Sequence, residues 1–382
     1  MVRSINCGIG GMESHQRAFI SHFFNNNMSC DAVNFQFIIE NRGAFFTVFK
    51  HNKDKTIFCC QIENITNLIS FIYDRAGNTP LLFLNDGWWI EYVRDFKEIL
   101  PNCILFMRTG GNDFELAPWN QGRFSYMERR VLWKNSLNSL DCLIANSDYS
   151  ISLLKKLSVN QSIIKKVRGG VDEVLCKKFK DRKAIIKSDI CQALKIRQKY
   201  ILLFACRFVP FKGIIPAMSL LLQSEIYNDC HILLAGSGQL QSEIKCWCAE
   251  NLFDNQYTIL GELSNANTLR IMAASDILLN TSIECLTRSG DGFYIHTETM
   301  GRSMMEAISV GTKVFATNVG GTGEIFREND GIGHLSDVDE RSMINGFNDL
   351  KNIIRVQPRL VADYSWNNVF SIYNALFCKS VQ

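Results

Sequence analysis

Short runs that are apolar almost throughout alternate along the chain with longer stretches in which apolar positions recur every three or four residues. The short runs Leu81–Leu84, Cys103–Met107, Cys142–Ala145, Tyr200–Ala205, His231–Ala235 and Lys313–Thr317 are predicted as strands. Between them, Met12–Phe24, Ile214–Gln223 and Leu240–Asn251 are predicted as helices. Such alternation is the pattern of parallel sheets covered by helices, an α/β architecture. Ligands of these sheets bind beyond the carboxyl ends of the strands, so the strand-to-helix loops are where function is to be sought.

The strand series restarts once. Arg168-Gly-Gly-Val-Asp172 reads as a turn, and Tyr200–Ala205 opens a fresh series, so a boundary is expected between Phe179 and Ile196. A chain of 382 residues is too long for one ordinary core and suits two domains, expected at 1–183 and 184–361. Hydrophobic residues at 47% and charged ones at 21% place it among globular proteins rather than disordered ones. The 41 basic and 38 acidic residues nearly balance, which argues against a nucleic-acid partner. Charge is concentrated locally: Lys155–Lys187 holds eleven Lys/Arg against Asp172, Glu173 and Asp181. That segment reads as a solvated face or as a peripheral contact with an anionic membrane. No run approaches the roughly 18 apolar residues of a membrane helix, and glycines stand where a leader would have its apolar core. A cytoplasmic protein, possible to place peripherally on the inner face of the membrane, is expected. The 14 cysteines are scattered without zinc-site spacing and read as small buried hydrophobes.

Three stretches carry candidate chemistry. In Glu298-Thr-Met-Gly-Arg-Ser-Met-Met-Glu306 a helical pattern begins near Gly301 and ends at Gly311. Glu298 therefore stands just before a helix N-terminus and Glu306 within the helix. Unpaired N–H groups and the positive end of the helix dipole at such a start favour phosphate, and flanking carboxylates suit a hydroxyl-rich ligand. In Arg207-Phe-Val-Pro-Phe-Lys212-Gly213, two cations follow the strand Tyr200–Ala205, where they can neutralise a leaving diphosphate. Gly8-Ile-Gly-Gly11 and Gly236-Ser-Gly238 both lack the third glycine of the dinucleotide fingerprint, which speaks against nicotinamide chemistry.

Taken in order, these stretches resemble family 4 of the glycosyltransferases, the retaining group 1 enzymes with the GT-B fold of two facing Rossmann-like domains. Gly10-Gly11-Met-Glu-Ser-His15 is similar to the family's N-terminal loop and helix, Ala145-Asn-Ser-Asp-Tyr149 to the segment closing the first domain, and Gly170-Val-Asp172 to the turn after it. Arg207 with Lys212-Gly213 resembles the phosphate-binding pair; Gly236-Ser-Gly238 and Leu260-Gly261 resemble the next two strand ends. Glu298 and Glu306 have the family's spacing, Gly320-Gly321 with Glu324 resembles the loop that follows, and Tyr364-Ser-Trp366 with Val369 and Tyr373 resembles a terminal helix, 362–382, crossing back to the first domain.

The resemblance implies that Arg207, Lys212 and Glu298 form the catalytic set, the cations on the diphosphate and the carboxylate on hydroxyls of the transferred sugar. It implies donor contacts from Gly10, Gly11, Gly236, Gly261, Thr299, Met300, Gly301, Arg302 and Ser303, with Glu306 on the ribose. His15, Arg108, Thr109 and Asn112 are expected to contact the acceptor or the sugar. No cofactor and no metal are implied; the co-substrate would be a nucleotide-diphosphate sugar, UDP ahead of GDP, and the acceptor a glycan or lipid-linked glycan of a bacterial surface polysaccharide. Met107–Asp113 lacks the histidine that many members carry there, and Arg108, Thr109 and Asn112 are candidates to replace it. Glu284 lies nearer the preceding strand, but Glu298 has the spacing, so Glu284–Thr297 becomes a long loop in which Arg288, Asp291, Tyr294 and His296 are expected to border the donor. A nucleotide-sugar epimerase or phosphorylase of the same fold, and a non-catalytic nucleotide-sugar-binding subunit, are the alternatives.

Overall fold

A computed structural model describes residues 1–2, 11–25, 35–41, 45–52, 55–113, 115, 124–356, 358, 360 and 362–381. Gly10 and most of the expected first strand, Val2–Asn6, lie outside them. The chain divides into two compact units, the first comprising Met1–Gly169, Thr287–Tyr294 and Trp366–Gln382, the second Gly170–Leu286 and Ile295–Ser365. The division at Gly169/Gly170 corrects the expected 183/184 boundary. The helices Glu173–Asp181 and Lys183–Ala193 pack on the helix Asn265–Ala274, so their apolar faces (Cys176, Ile186, Ile190) belong to the second core.

Within the first unit, β1 (Phe37–Asn41), β2 (Phe46–Asn52) and β3 (Lys55–Ile62) form an antiparallel sheet. The parallel strands β4 (Leu81–Leu84), β5 (Ile104–Thr109), β6 (Cys142–Ala145) and β7 (Ile164–Lys166) lie in that order in another. The opening residues join the two sheets: the Met1 amino group donates to Phe83 O at 2.5 Å and Val2 N–H to Ile39 O at 2.8 Å. The expected helix Met12–Phe24 is α-helical over Gly11–Ile20 and widens to a π-turn over Ser21–Asn25. The helix Trp366–Val381 lays Val369, Phe370, Tyr373 and Phe377 against Phe19, Phe83, Phe106 and Ile144, and so completes one face of this core.

In the second unit the described residues give a six-stranded parallel sheet, order β10-β9-β8-β11-β14-β15, from β8 (Tyr200–Ala205), β9 (Cys230–Ala235), β10 (Tyr257–Gly261), β11 (Ile277–Asn280), β14 (Lys313–Thr317) and β15 (Gly333–Ser336). Successive side chains of β8 enter opposite cores. Ile201 and Leu203 meet Leu233 and Leu278, while Leu202 and Phe204 meet Ile232 and Leu234. Burial on both faces is why β8 and β9 are nearly continuous apolar runs. The remaining strands, β12 (Cys285–Ser289) and β13 (Gly292–His296), form a hairpin, so the expected long loop is regular structure.

Among the described residues, no helix is long and apolar enough to cross a membrane. Cys59 and Cys246 are exposed, and Cys378 is disulfide-bonded, which corrects the small-buried-hydrophobe reading at those three positions.

Candidate functional site

The order of strands in the second unit locates a crevice. From β8 the chain moves outward through β9 and β10, then returns to the other side of β8 with β11. The reversal between β8 and β11 is a topological switch point, where the loops leaving two neighbouring strands diverge and open a ligand crevice. Those loops carry Arg207–Gly213 and Thr281–Gly301.

The first loop is fixed by its backbone. Phe208 N–H donates to Ser237 O at 2.8 Å, Ile283 N–H to Phe211 O at 2.7 Å, and the Thr281 hydroxyl to Lys212 O at 3.2 Å. Phe208 and Phe211 are buried, whereas Arg207 is exposed and Lys212 half-buried. Pro210–Lys212 makes a 3-10 turn, ahead of the helix Ile214–Leu221.

Glu298 bridges this loop to the next helix. One carboxylate oxygen pairs with Lys212 Nζ, and the other accepts the Gly301 N–H at 3.1 Å. Burial opposes its charge, but Lys212 and the N–H groups of Gly301 and Met300 prevail, holding its carboxyl below the ordinary range. Gly301 sits at φ 81°, a left-handed conformation that a side chain would strain, and caps the helix Arg302–Ser309. The first-turn N–H groups of that helix have no partner within it. Glu306, 4% exposed, accepts from Arg302 at 3.3 Å and from Asn265 at 3.2 Å. Behind this turn, Gly321 N–H donates to Glu298 O at 2.9 Å, and a Cβ on Gly320 would stand 1.9 Å from that carbonyl. The Gly-Gly pair thus permits the backbone contact that sets Glu298.

Residues 187–351 match the family described as glycosyl transferases group 1. Anabaena HepE in complex with UDP superposes with a TM-score of 0.60 at 18% identity, covering 81% of each chain. The sucrose-phosphate synthase of Thermosynechococcus elongatus gives 0.58 at 17% identity, over 82% of this chain and 78% of its own. The catalytic domain of Arabidopsis thaliana starch synthase IV, bound to ADP and acarbose, gives 0.62 at 12% identity, over 88% and 85%. No curated protein matches the chain. The fold is GT-B.

In this GT-B chain the second unit brings together Arg207, Lys212, Glu298, Thr299, Met300, Gly301, Arg302, Ser303 and Glu306 on two loops and one helix start. Gly236 and Gly261 lie at the ends of β9 and β10, and Gly236 N–H donates to Gly261 O at 2.7 Å. Glu284 is exposed just before β12, and the carboxylate that pairs with Lys212 is that of Glu298. Gly11 opens the first helix, and Gly10 is not among the described residues.

The positions expected to meet acceptor or sugar fall in the first unit and are buried. His15, 0% exposed, packs on Trp366, Phe370 and Tyr373, and its Nδ1 lies 3.0 Å from Asn85 Oδ1. It packs in the core under the terminal helix. Arg108 and Thr109 end β5 and Asn112 follows them; all are below 9% exposed, and Thr109 Oγ1 donates to Asp113.

Of the hairpin residues, only His296 is surrounded by the charges of Arg207, Lys212 and Glu298. Ser289 and Asp291 instead hold the first unit: fully buried Arg129 donates to Ser289 O at 2.5 Å, and Asp291 accepts the Tyr126 N–H at 2.7 Å. Beside them Glu115 accepts from Tyr126 Oη at 3.2 Å, and burial lifts its carboxyl to about 6. Sequence reasoning passed over Asn265, Phe211 and Thr281. A bulky aromatic between two loop cations was the available signal for Phe211; Asn265 and Thr281 act through tertiary contacts that leave no local pattern. Among the described residues, no three of His, Cys, Asp and Glu cluster as metal ligands.

Proposed function

We propose that the protein is a retaining glycosyltransferase that moves a sugar from a nucleotide-diphosphate donor, UDP in preference to GDP, to a glycan or lipid-linked acceptor of a bacterial surface polysaccharide. The observation that carries this reading is the Lys212–Glu298 pair, which joins the cation loop after β8 to a glycine-capped helix start. A diphosphate seated there meets Arg207, Lys212 and the positive end of the helix dipole together, and the carboxylate of Glu298 is left beside the sugar.

Departure of the diphosphate builds negative charge that the two cations and the helix terminus stabilise more strongly than in the ground state. With attack on the same face, the acceptor hydroxyl adjoins the leaving phosphate, which takes its proton, and positioning supplies the rest of the rate. Protein cations take the place of a divalent ion in this scheme.

A panel of UDP- and GDP-sugars, assayed with and without glycan acceptors in the presence of a chelator, tests it. Acceptor-dependent release of nucleoside diphosphate, with retained anomeric configuration, is expected. Turnover without acceptor would indicate an epimerase, binding without turnover a carrier subunit. Activity lost to chelator and restored by magnesium or manganese would overturn the metal-free scheme.

A further inference from the structure

His296 ends β13, two residues before Glu298, on the β12–β13 hairpin. Its ring lies 4.2 Å, centroid to centroid, from Phe211 at an interplanar angle of 31°. Phe211 is itself immobilised: it is 6% exposed, its carbonyl is bonded by Ile283, and Lys212 Nζ lies 5.0 Å from its ring centroid. One aromatic wall therefore fixes both an imidazole and a cation, and its own loop carries the second cation, Arg207.

We propose that His296 is a donor-site residue whose uncharged imidazole hydrogen-bonds an oxygen of the diphosphate next to the transferred sugar. The proposal rests on the donor reading above. Three charged groups act on the ring: Arg207, Lys212 and Glu298. Burial first, then the two cations, depress its pKa to about 4 against the opposing pull of Glu298. At neutral pH the ring thus presents one N–H donor and one lone pair, with no third positive charge to crowd the pair already there. A docked diphosphate offsets both cations, so donor binding raises the imidazole pKa. The hairpin gives this chain a neutral donor at the diphosphate, beside cations that the loop after β8 provides.

The test uses the full chain and whichever nucleoside diphosphate, UDP or GDP, the wild type binds. His296→Phe keeps the stack on Phe211 and removes the N–H; His296→Gln keeps a donor without the ring. A hydrogen bond to a charged acceptor corresponds to a loss of about 10- to 100-fold in affinity, and in kcat/KM with the sugar donor. His296→Phe should show that loss at an unchanged melting temperature, and His296→Gln should recover part of it. By proton NMR, the imidazole signal absent from His296→Phe should titrate near 4 in the free chain and higher when the nucleotide is bound. His296→Phe binding within twofold of wild type, without a nucleotide-dependent shift, while Arg207→Ala loses binding, would overturn this proposal and leave the donor reading standing. Normal binding by Arg207→Ala and Lys212→Ala as well would sink both.

Discussion

Arg207 and Lys212 differ in what surrounds them, and so should their variants. Arg207 is exposed, and its substitution by alanine should cost turnover without much loss of stability. Removing one donor to a developing anion lowers kcat by about 100- to 1000-fold, roughly 3–4 kcal/mol. Lys212→Ala should cost as much in kcat and also leave Glu298 half-buried without its partner. The sign for pH follows from the depressed carboxyl of Glu298. Stability from the pair is present above the ordinary carboxyl range and is lost as pH falls through the folded-state value. Without Lys212, burial dominates and the carboxyl moves up, so the acid limb of donor binding should shift to higher pH in Lys212→Ala. Titration calorimetry across pH 4–8 checks this; an unmoved limb would detach Glu298 from Lys212. Glu306→Ala should chiefly raise the donor KM, because a ribose contact changes little during reaction.

The hairpin β12–β13 is held in the first unit through a close approach and a buried cation. A Cβ on Gly292 would stand 2.2 Å from the Tyr126 ring, so Gly292→Val should displace the hairpin. Overpacking of this kind costs about 1–3 kcal/mol, seen as a drop of several degrees in melting temperature and faster proteolysis between 285 and 296. An unchanged melt and cleavage pattern would show the contact to be dispensable. Glu115, under the same contact, gives a pH signature. Its folded-state carboxyl, raised to about 6, contributes stability below the unfolded value of 4.5 that is lost as pH rises through 6. Glu115→Gln should flatten the melting temperature between pH 4.5 and 7; a mutant that keeps the wild-type slope would acquit Glu115. The six parallel strands read from the sequence, β4, β5, β6, β8, β9 and β14, were legible because nearly all their residues are buried and leave an apolar run, whereas β7, β10 and β15 are half-buried or exposed along most of their length and leave none. The hairpin was not. Leu286, Phe293 and Ile295 face outward while Ser289 packs inward, reversing the usual code, so polar and apolar positions gave no usable alternation. β3 failed for a related reason: five of its eight residues in succession are exposed, and Ile57 and Phe58 are among them. The Lys212–Glu298 juxtaposition was suggested where glycine and charge flank a helix start, whereas the burial of His15 was not legible because it comes from a helix more than three hundred residues away.

At the scale of the whole molecule, the cations of the basic segment 155–187 are not equivalent. Lys183 donates to Ser275 O, Gly311 O and Thr312 Oγ1, and Lys187 pairs with Asp276 at 2.6 Å, so these two hold the second unit together. Lys155, Lys156 and Lys165 in the first unit and Lys177, Lys178, Lys180 and Arg182 in the second are exposed. If they meet membrane phosphates, vesicles with anionic lipid should retain the protein weakly, and salt should release it, since the Debye length is about 8 Å at physiological ionic strength. Changing those seven to glutamine should abolish co-sedimentation while sparing the fold. Undiminished co-sedimentation would assign them to ordinary solvation.

The terminal helix imposes an order on how the protein can be made. Its aromatic side chains fill the face of the first core that Phe19, Phe83 and Phe106 leave open, yet they leave the ribosome only after the entire second unit has been translated. At about 5–20 residues per second, a nascent chain that has just completed Gly169 waits on the order of ten to forty seconds for that cover. During the wait the second unit can fold on its own contiguous stretches, while the unit begun first must be the last one finished.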